Sequence, residues 1–137
     1  MNENIIKNPP TDAFVELIEV VAHLRSENGC EWDRQQTFKS MRPHLLEEAR
    51  EVVEAIDNED HEHLCEELGD LLLHVLFLTQ IAYEQDRFNL KRVIKGITSK
   101  LKRRHPHVFG DLEVENTEEI LANWERIKQT EKNGESS

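Results

Sequence analysis

Residues 71–81 read LLLHVLFLTQI. At about 100° per residue this stretch is apolar nearly all the way round a helix. A helix of that kind is buried on several sides, so the rest of the chain has to supply elements that cover it. Nothing in the sequence offers a sheet for the purpose, because no strand-length run alternates apolar and polar residues. Only 5 Gly and 4 Pro interrupt 137 residues, and 33% of the residues are charged. The expectation is an all-α fold, a bundle of about five helices with antiparallel neighbours joined by short links. Covering the 71–81 face asks for more surface than one chain of this length readily gives, which points to a homodimer or higher homo-oligomer.

The helices follow from periodicity and punctuation. Asp12 is a candidate cap for a first helix carrying Phe14, Leu17, Ile18, Val21 and Leu24, and Asn28-Gly29 ends it. A polar loop with one aromatic, CEWDRQQTFKSMRPH, follows. Pro43 suits the first turn of a second helix that reaches about Asp57. Asp60 caps a third over 61–85, Asn89 a fourth to about Arg104, and Asn116 with Glu119 forms a capping box for a last helix to about Glu131. One domain over residues 12–131 is expected, with loosely ordered ends at 1–11 and 132–137.

Charge and composition exclude some classes. A formal net charge of -11 speaks against nucleic acid or a membrane surface as partner, since a phosphate backbone repels it. No apolar stretch approaches the ~20 residues that span a bilayer. The start, MNENIIKNPPTD, lacks a signal peptide's apolar centre, and two Cys do not make a disulfide framework, so a cytoplasmic protein is expected.

Acids sit where core is expected. On the second helix Leu45, Ala49, Val52, Val53 and Ile56 share a sector, with Glu47 and Glu54 nearly opposite. Glu48 falls at the border of that sector, and Glu51 lies one turn on. On the third helix Glu67 and Asp70 occupy the stripe that continues as His74, Leu78 and Ile81. Acids at i, i+3 are neighbours on a helix. Two such pairs on successive helices repel unless a cation neutralises them, and Mg²⁺ takes oxygen ligands of this kind. Gly69, between the second pair, leaves room for a backbone or ligand to approach closely. The plain alternative is a solvated acidic rim on a non-catalytic helical interaction module. A transition-metal site from Cys30, His61, His63, Cys65, His105 and His107 is a weaker alternative, because residues at i, i+2 of a helix point apart.

The order of segments resembles the MazG family of nucleoside triphosphate pyrophosphohydrolases. Its E-E-x-x-E and E-x-x-D motif stands here as Glu47-Glu48-Ala49-Arg50-Glu51 and Glu67-Leu68-Gly69-Asp70. ENGCEWDRQQTF, EELGDLLLHVLF, RRHPHVFGD and LANWERIKQTEK also look like family segments, in family order. The resemblance implies an all-α fold that dimerises through the bundle and hydrolysis of a nucleoside triphosphate between its α and β phosphates. It implies Mg²⁺ as cofactor, with Mn²⁺ able to substitute. Carried over by position, Glu48, Glu51, Glu67 and Asp70 are metal ligands, and Glu47 and Glu51 are candidates for activating water. Lys100, Arg104, Trp124, Lys128 and Trp32 fall at nucleotide-binding positions, with Asp33 and Gln36 as further candidates for reading base edges. Two departures stand out. Glu31 replaces the Pro of the family's Cys-Pro-Trp-Asp, so a looser loop is expected. His63 replaces a Lys found in some members, so one phosphate contact fewer is expected.

Overall fold

The computed structural model describes residues 8–135. Every regular element among them is a helix. There are seven: α1 (Thr11–Leu24), α2 (Glu31–Gln35), α3 (Phe38–Asp57), α4 (His61–Glu84), α5 (Leu90–Arg104), α6 (Pro106–Phe109) and α7 (Thr117–Glu135). The five long helices are those expected from periodicity; α2 and α6 are short additions within the segments read as loops. Among the described residues no helix is long and apolar enough to cross a membrane. The expected looseness at residues 1–7 and 136–137 lies outside the described residues, whereas 132–135 continue α7.

The chain divides into two compact units, one up to Leu90 and one from Lys91. In the first, α3 and α4 pack on each other and α1 packs on α4. Val21, Met41, Leu76, Phe77 and Ile81 form its core, with Phe14, Leu17 and Ile18 of α1 closing over them. The stripe expected on α1 is therefore the one that packs.

Local chemistry sets the ends of the α3–α4 hairpin. Thr37 caps α3: its hydroxyl accepts from Ser40 N at 3.1 Å, and Ser40 Oγ accepts from Thr37 N at 2.8 Å. This reciprocal cap starts the helix at Phe38, so Pro43 stands inside it rather than in its first turn. At the far end Asp60 N donates to Ala55 O and Glu59 N to Ile56 O, both at 3.1 Å. That is a Schellman ending, with Glu59 at φ 51° where Gly is usual. Asp60 then caps α4 as expected, accepting from His63 N at 3.1 Å. Asp12, by contrast, makes no capping bond and sits in the first turn of α1. At α7, Asn116 Oδ1 accepts from Glu119 N at 2.9 Å, but the Glu119 carboxylate accepts from Glu115 N, one residue before the expected partner.

The buried stripe of α3 differs from the apolar sector. Met41, Glu48 and Ala55 are the buried positions, seven residues apart on one line. Val53 and Ile56 are more than half exposed, at 54% and 55%. On α4, Leu68, Leu72 and Val75 are likewise exposed while Leu76, Phe77 and Ile81 are covered. Each helix thus carries a second apolar stripe that its own unit does not cover.

The second unit is α6, α7 and α5 from Lys91 onward. None of its described residues is buried. Ile94, Ile97 and Leu101 line one side of α5 in the open, and ion pairs tie α5 to α7.

Candidate metal and nucleotide site

Glu48 of α3 and Glu67 of α4 are among the few buried polar side chains, at 3% and 5% exposure. The hairpin brings them face to face, and Asp70, one turn after Glu67, joins them. One carboxylate oxygen from each of the three lies within 4.8 Å of the others. Among the described residues no His/Cys group converges in this way, and both Cys are free thiols. Glu51 stands outside the three-acid group but lines the same cavity.

This is an expensive arrangement for the chain alone. Glu48 Oε2 and Glu67 Oε2 are buried without a hydrogen-bond partner in the protein, and such an oxygen carries its full desolvation penalty. Burial, the hydrogen bonds that a protonated Glu48 can donate to the Glu67 and Glu51 carboxylates, and the charges of Glu67 and Asp70 together push the Glu48 carboxyl up to about 8. Its neighbours offer little relief: no Lys or Arg lines the cavity. His63 approaches Glu67 Oε1 at 3.4 Å. Hard oxygen donors with unsatisfied lone pairs, gathered from two rigid helices, fit a divalent cation.

The cavity holds about 280 Å³. Its acidic wall is Glu47, Glu48, Glu51 and Asp70, and its apolar floor is Met41, Leu73 and Phe77. Trp32 and Asp33 of α2 stand at another side. Glu47 is tied by its carboxylate to Arg50. Two lining residues were not singled out as ligand contacts from the sequence. His44 meets the Trp32 ring edge-on at 5.7 Å. His74 is held through Nδ1 to Asp70 O at 2.7 Å. The signal was present: His44 is four residues before Glu48, and His74 four after Asp70, each one turn along the acid-bearing face.

The remaining candidates lie in the second unit. Arg104 binds Glu131 through Nε and Nη2 at 3.2 and 2.8 Å, and Arg103 binds the other oxygen of the same carboxylate. The two guanidiniums hold the Glu131 carboxyl down at about 2. Trp124 has Arg104 at 5.9 Å and Lys128 at 5.3 Å from its ring centre, within the range of cation–π attraction. It is partly exposed. Arg104, Lys128 and Lys132 line a groove with Gln129, Glu125 and Glu131. Lys100 is exposed on α5.

Residues 36–109 match the MazG nucleotide pyrophosphohydrolase domain, which is more than half of the chain. The chain belongs to the MazG family. The matched span holds the whole acid group together with Lys100 and Arg104; Trp32, Trp124 and Lys128 lie outside it. A nucleoside triphosphate pyrophosphohydrolase of Escherichia coli (strain K12) is 49% identical over 117 residues, 85% of this chain and 44% of the relative. An uncharacterized protein YabN of Bacillus subtilis (strain 168) is also 49% identical, over 118 residues, 86% of this chain and 24% of the relative. This chain therefore spans less than half the length of either relative. A crystal structure of a mazG-related protein from Thermotoga maritima superposes with a TM-score of 0.69 at 27% identity, covering 86% of this chain and 98% of that one. The all-α expectation is thus met both in the helices observed and in a solved MazG-related fold.

Proposed function

We propose that this chain is a nucleoside triphosphate pyrophosphohydrolase that uses Mg²⁺. The observation that carries the reading is the convergence of Glu48, Glu67 and Asp70, with a buried, unpartnered oxygen on each of the two glutamates. MazG membership and relatives named for this activity support it. In this reading Glu48, Glu51, Glu67 and Asp70 are the metal ligands. When bound, Mg²⁺ would supply charge neutralisation for the triphosphate and acidify a coordinated water.

The chain's own side chains do the rest. Glu51, in contact with Glu48 and half-buried, receives the proton of the attacking water; Glu47 is the other candidate, and its pairing with Arg50 makes it the weaker base. The water oxygen bonds to phosphorus, the bridge between the α and β phosphates breaks, and monophosphate and pyrophosphate leave. Such transfer depends chiefly on positioning and charge. Lys100, Arg104 and Lys128 supply cations to phosphate oxygens, while Trp32 and Trp124 offer faces to the base. The uncovered apolar stripes Val53–Ile56 of α3 and Leu68, Leu72 and Val75 of α4 support a homodimer formed through the hairpin. A cytoplasmic setting agrees with two free thiols.

The test is pyrophosphate release from a panel of ribo-, deoxyribo- and modified triphosphates, with Mg²⁺, with Mn²⁺ and with chelator. Release with either metal and none with chelator is expected. Cleavage that persists in chelator, or no cleavage of any triphosphate, overturns the reading.

A further inference from the structure

The segment carrying Trp32 is held by an unusual amount of polar anchoring for its size. Helix α2 has five residues and buries none of them. So short a helix is unstable alone, and most of its carbonyls have no partner within it. Arg25, in the turn that ends α1, answers both needs. Its Nη1 donates to Asp33 O at 2.6 Å and to Gln36 O at 3.1 Å, the carbonyls at the end of α2. Its Nε and Nη2 hold the two oxygens of Glu84 on α4 at 2.9 and 2.8 Å. The guanidinium also lies over the Phe77 ring, 5.2 Å from its centre, and Phe77 is part of the cavity floor. The Arg25 side chain is only 7% exposed.

A second Arg completes the clamp: Arg34 donates from Nη1 to Glu27 O and Ser26 O. Gly29 lets the chain pass at that point, since a Cβ there would stand 2.1 Å from His23 O. Trp32 itself is 53% exposed and touches His44 edge-on. Its place at the cavity rim is therefore set by the backbone that Arg25 holds, not by burial of the indole.

We infer that Arg25 is a positioning residue for base recognition: by tying the Asp33 and Gln36 carbonyls to Glu84 and Phe77 it fixes Trp32 at the mouth of the acid cavity. The guanidinium supplies the rigidity that a five-residue helix with no buried residue lacks by itself. The inference rests on the reading of the cavity as a nucleotide site. It assigns Arg25 to nucleotide affinity and leaves metal binding and the bond-breaking step to the acids.

Arg25→Lys keeps the charge but not the fork that reaches four acceptors at once. Loss of two charge-assisted bonds to the loop should raise KM for the triphosphate about tenfold, with kcat changed less than about twofold, the pattern of lost ground-state binding. Mn²⁺ affinity, read by electron paramagnetic resonance, should not change. In 5-fluorotryptophan-labelled protein the Trp32 fluorine resonance should move while that of Trp124 stays. An unchanged KM, a fall in kcat without a rise in KM, or an unmoved Trp32 resonance overturns the inference. If Arg25→Lys does not fold, Glu84→Gln loosens the same guanidinium and should raise KM in the same direction but less; an unchanged KM there overturns it too. Wild-type protein that releases no pyrophosphate defeats the functional reading instead, and the Trp32 resonance still decides whether Arg25 places the indole.

Discussion

In the unit up to Leu90, Glu48 is buried beside Glu67 in a cavity without Lys or Arg, and its carboxyl is pushed up to about 8. In the unit from Lys91, Glu131 lies between Arg103 and Arg104 and is held down at about 2. The first unit owns an apolar core and places acids at its edge without counter-charge. The second has no buried side chain among its described residues and is tied together by charge. A folded chain satisfies a carboxylate when the carboxylate is structural, as at Glu131. Where it leaves one buried and unsatisfied, as at Glu48, the unmet need is what the proposed metal site would answer.

The largest test of this contrast is activity. Glu48→Gln and Asp70→Asn should each lower pyrophosphate release at least about 100-fold, since even groups that only support a metal ligand are worth 10–100-fold. Circular dichroism should show the helices intact. Glu131→Gln should change kcat/KM by less than about tenfold, through Arg104 rather than through the chemistry. Comparable losses at Glu48 and Glu131 would erase the distinction between the two carboxylates.

Next is stability with metal. Mg²⁺ or Mn²⁺ at about 100 times its Kd should stabilise the wild type by about 2.7 kcal/mol, read as a rise in the thermal midpoint. Glu48→Gln should lose most of that rise, and Glu131→Gln should keep it. An equal rise in both variants would move the cation away from the acid group.

The pH dependence of the metal-free chain should run in opposite senses for the two carboxylates. Glu48 binds its proton more tightly folded than unfolded, where its ordinary value is 4.5. Its contribution is therefore fully present below about 4.5 and is lost as pH rises through about 8. Glu131 releases its proton more easily when folded, so its contribution is present above 4.5 and lost as pH falls toward about 2. Thermal midpoints from pH 5 to pH 9 should fall in the wild type and fall less in Glu48→Gln. Below pH 4 the Glu131→Gln variant should show the shallower decline.

The same contrast explains what could be read in the sequence. The five long helices were legible because their apolar spacing and their caps at Asp60 and Asn116 are local. The acid pairs were legible for the same reason: i, i+3 spacing on each of two helices joined by a short link. Which stripe of α3 is buried was not legible. The wheel ranks Val53 and Ile56 above Glu48, yet burial goes to Glu48 because α4 packs along the Met41–Glu48–Ala55 line. Helix α2 was also hidden, since the Arg25 bonds that hold it join residues 8 and 11 apart in the chain. Arg103 is one of several bases in KLKRR, and the partner that sets it apart, Glu131 on α7, lies 28 residues away in the chain.

The smallest effect sharpens the question of what covers the acid helices. Gly69 stands on α4 between Glu67 and Asp70, where its missing side chain leaves room for a close neighbour. A Cβ built there meets nothing within 4 Å. Within this chain the position is simply an exposed glycine in a helix, which weakens that helix relative to Ala. Gly69→Ala should therefore stabilise the metal-free protein by about 0.5–1 kcal/mol in urea denaturation, with metal affinity unchanged. A loss of stability instead, or a gain that disappears at high protein concentration, would show that a second copy packs its backbone against Gly69. The homodimer surface proposed on Leu68, Leu72 and Val75 of α4 would then extend to within one residue of Asp70, and the acid cavity would be bounded by two chains rather than one.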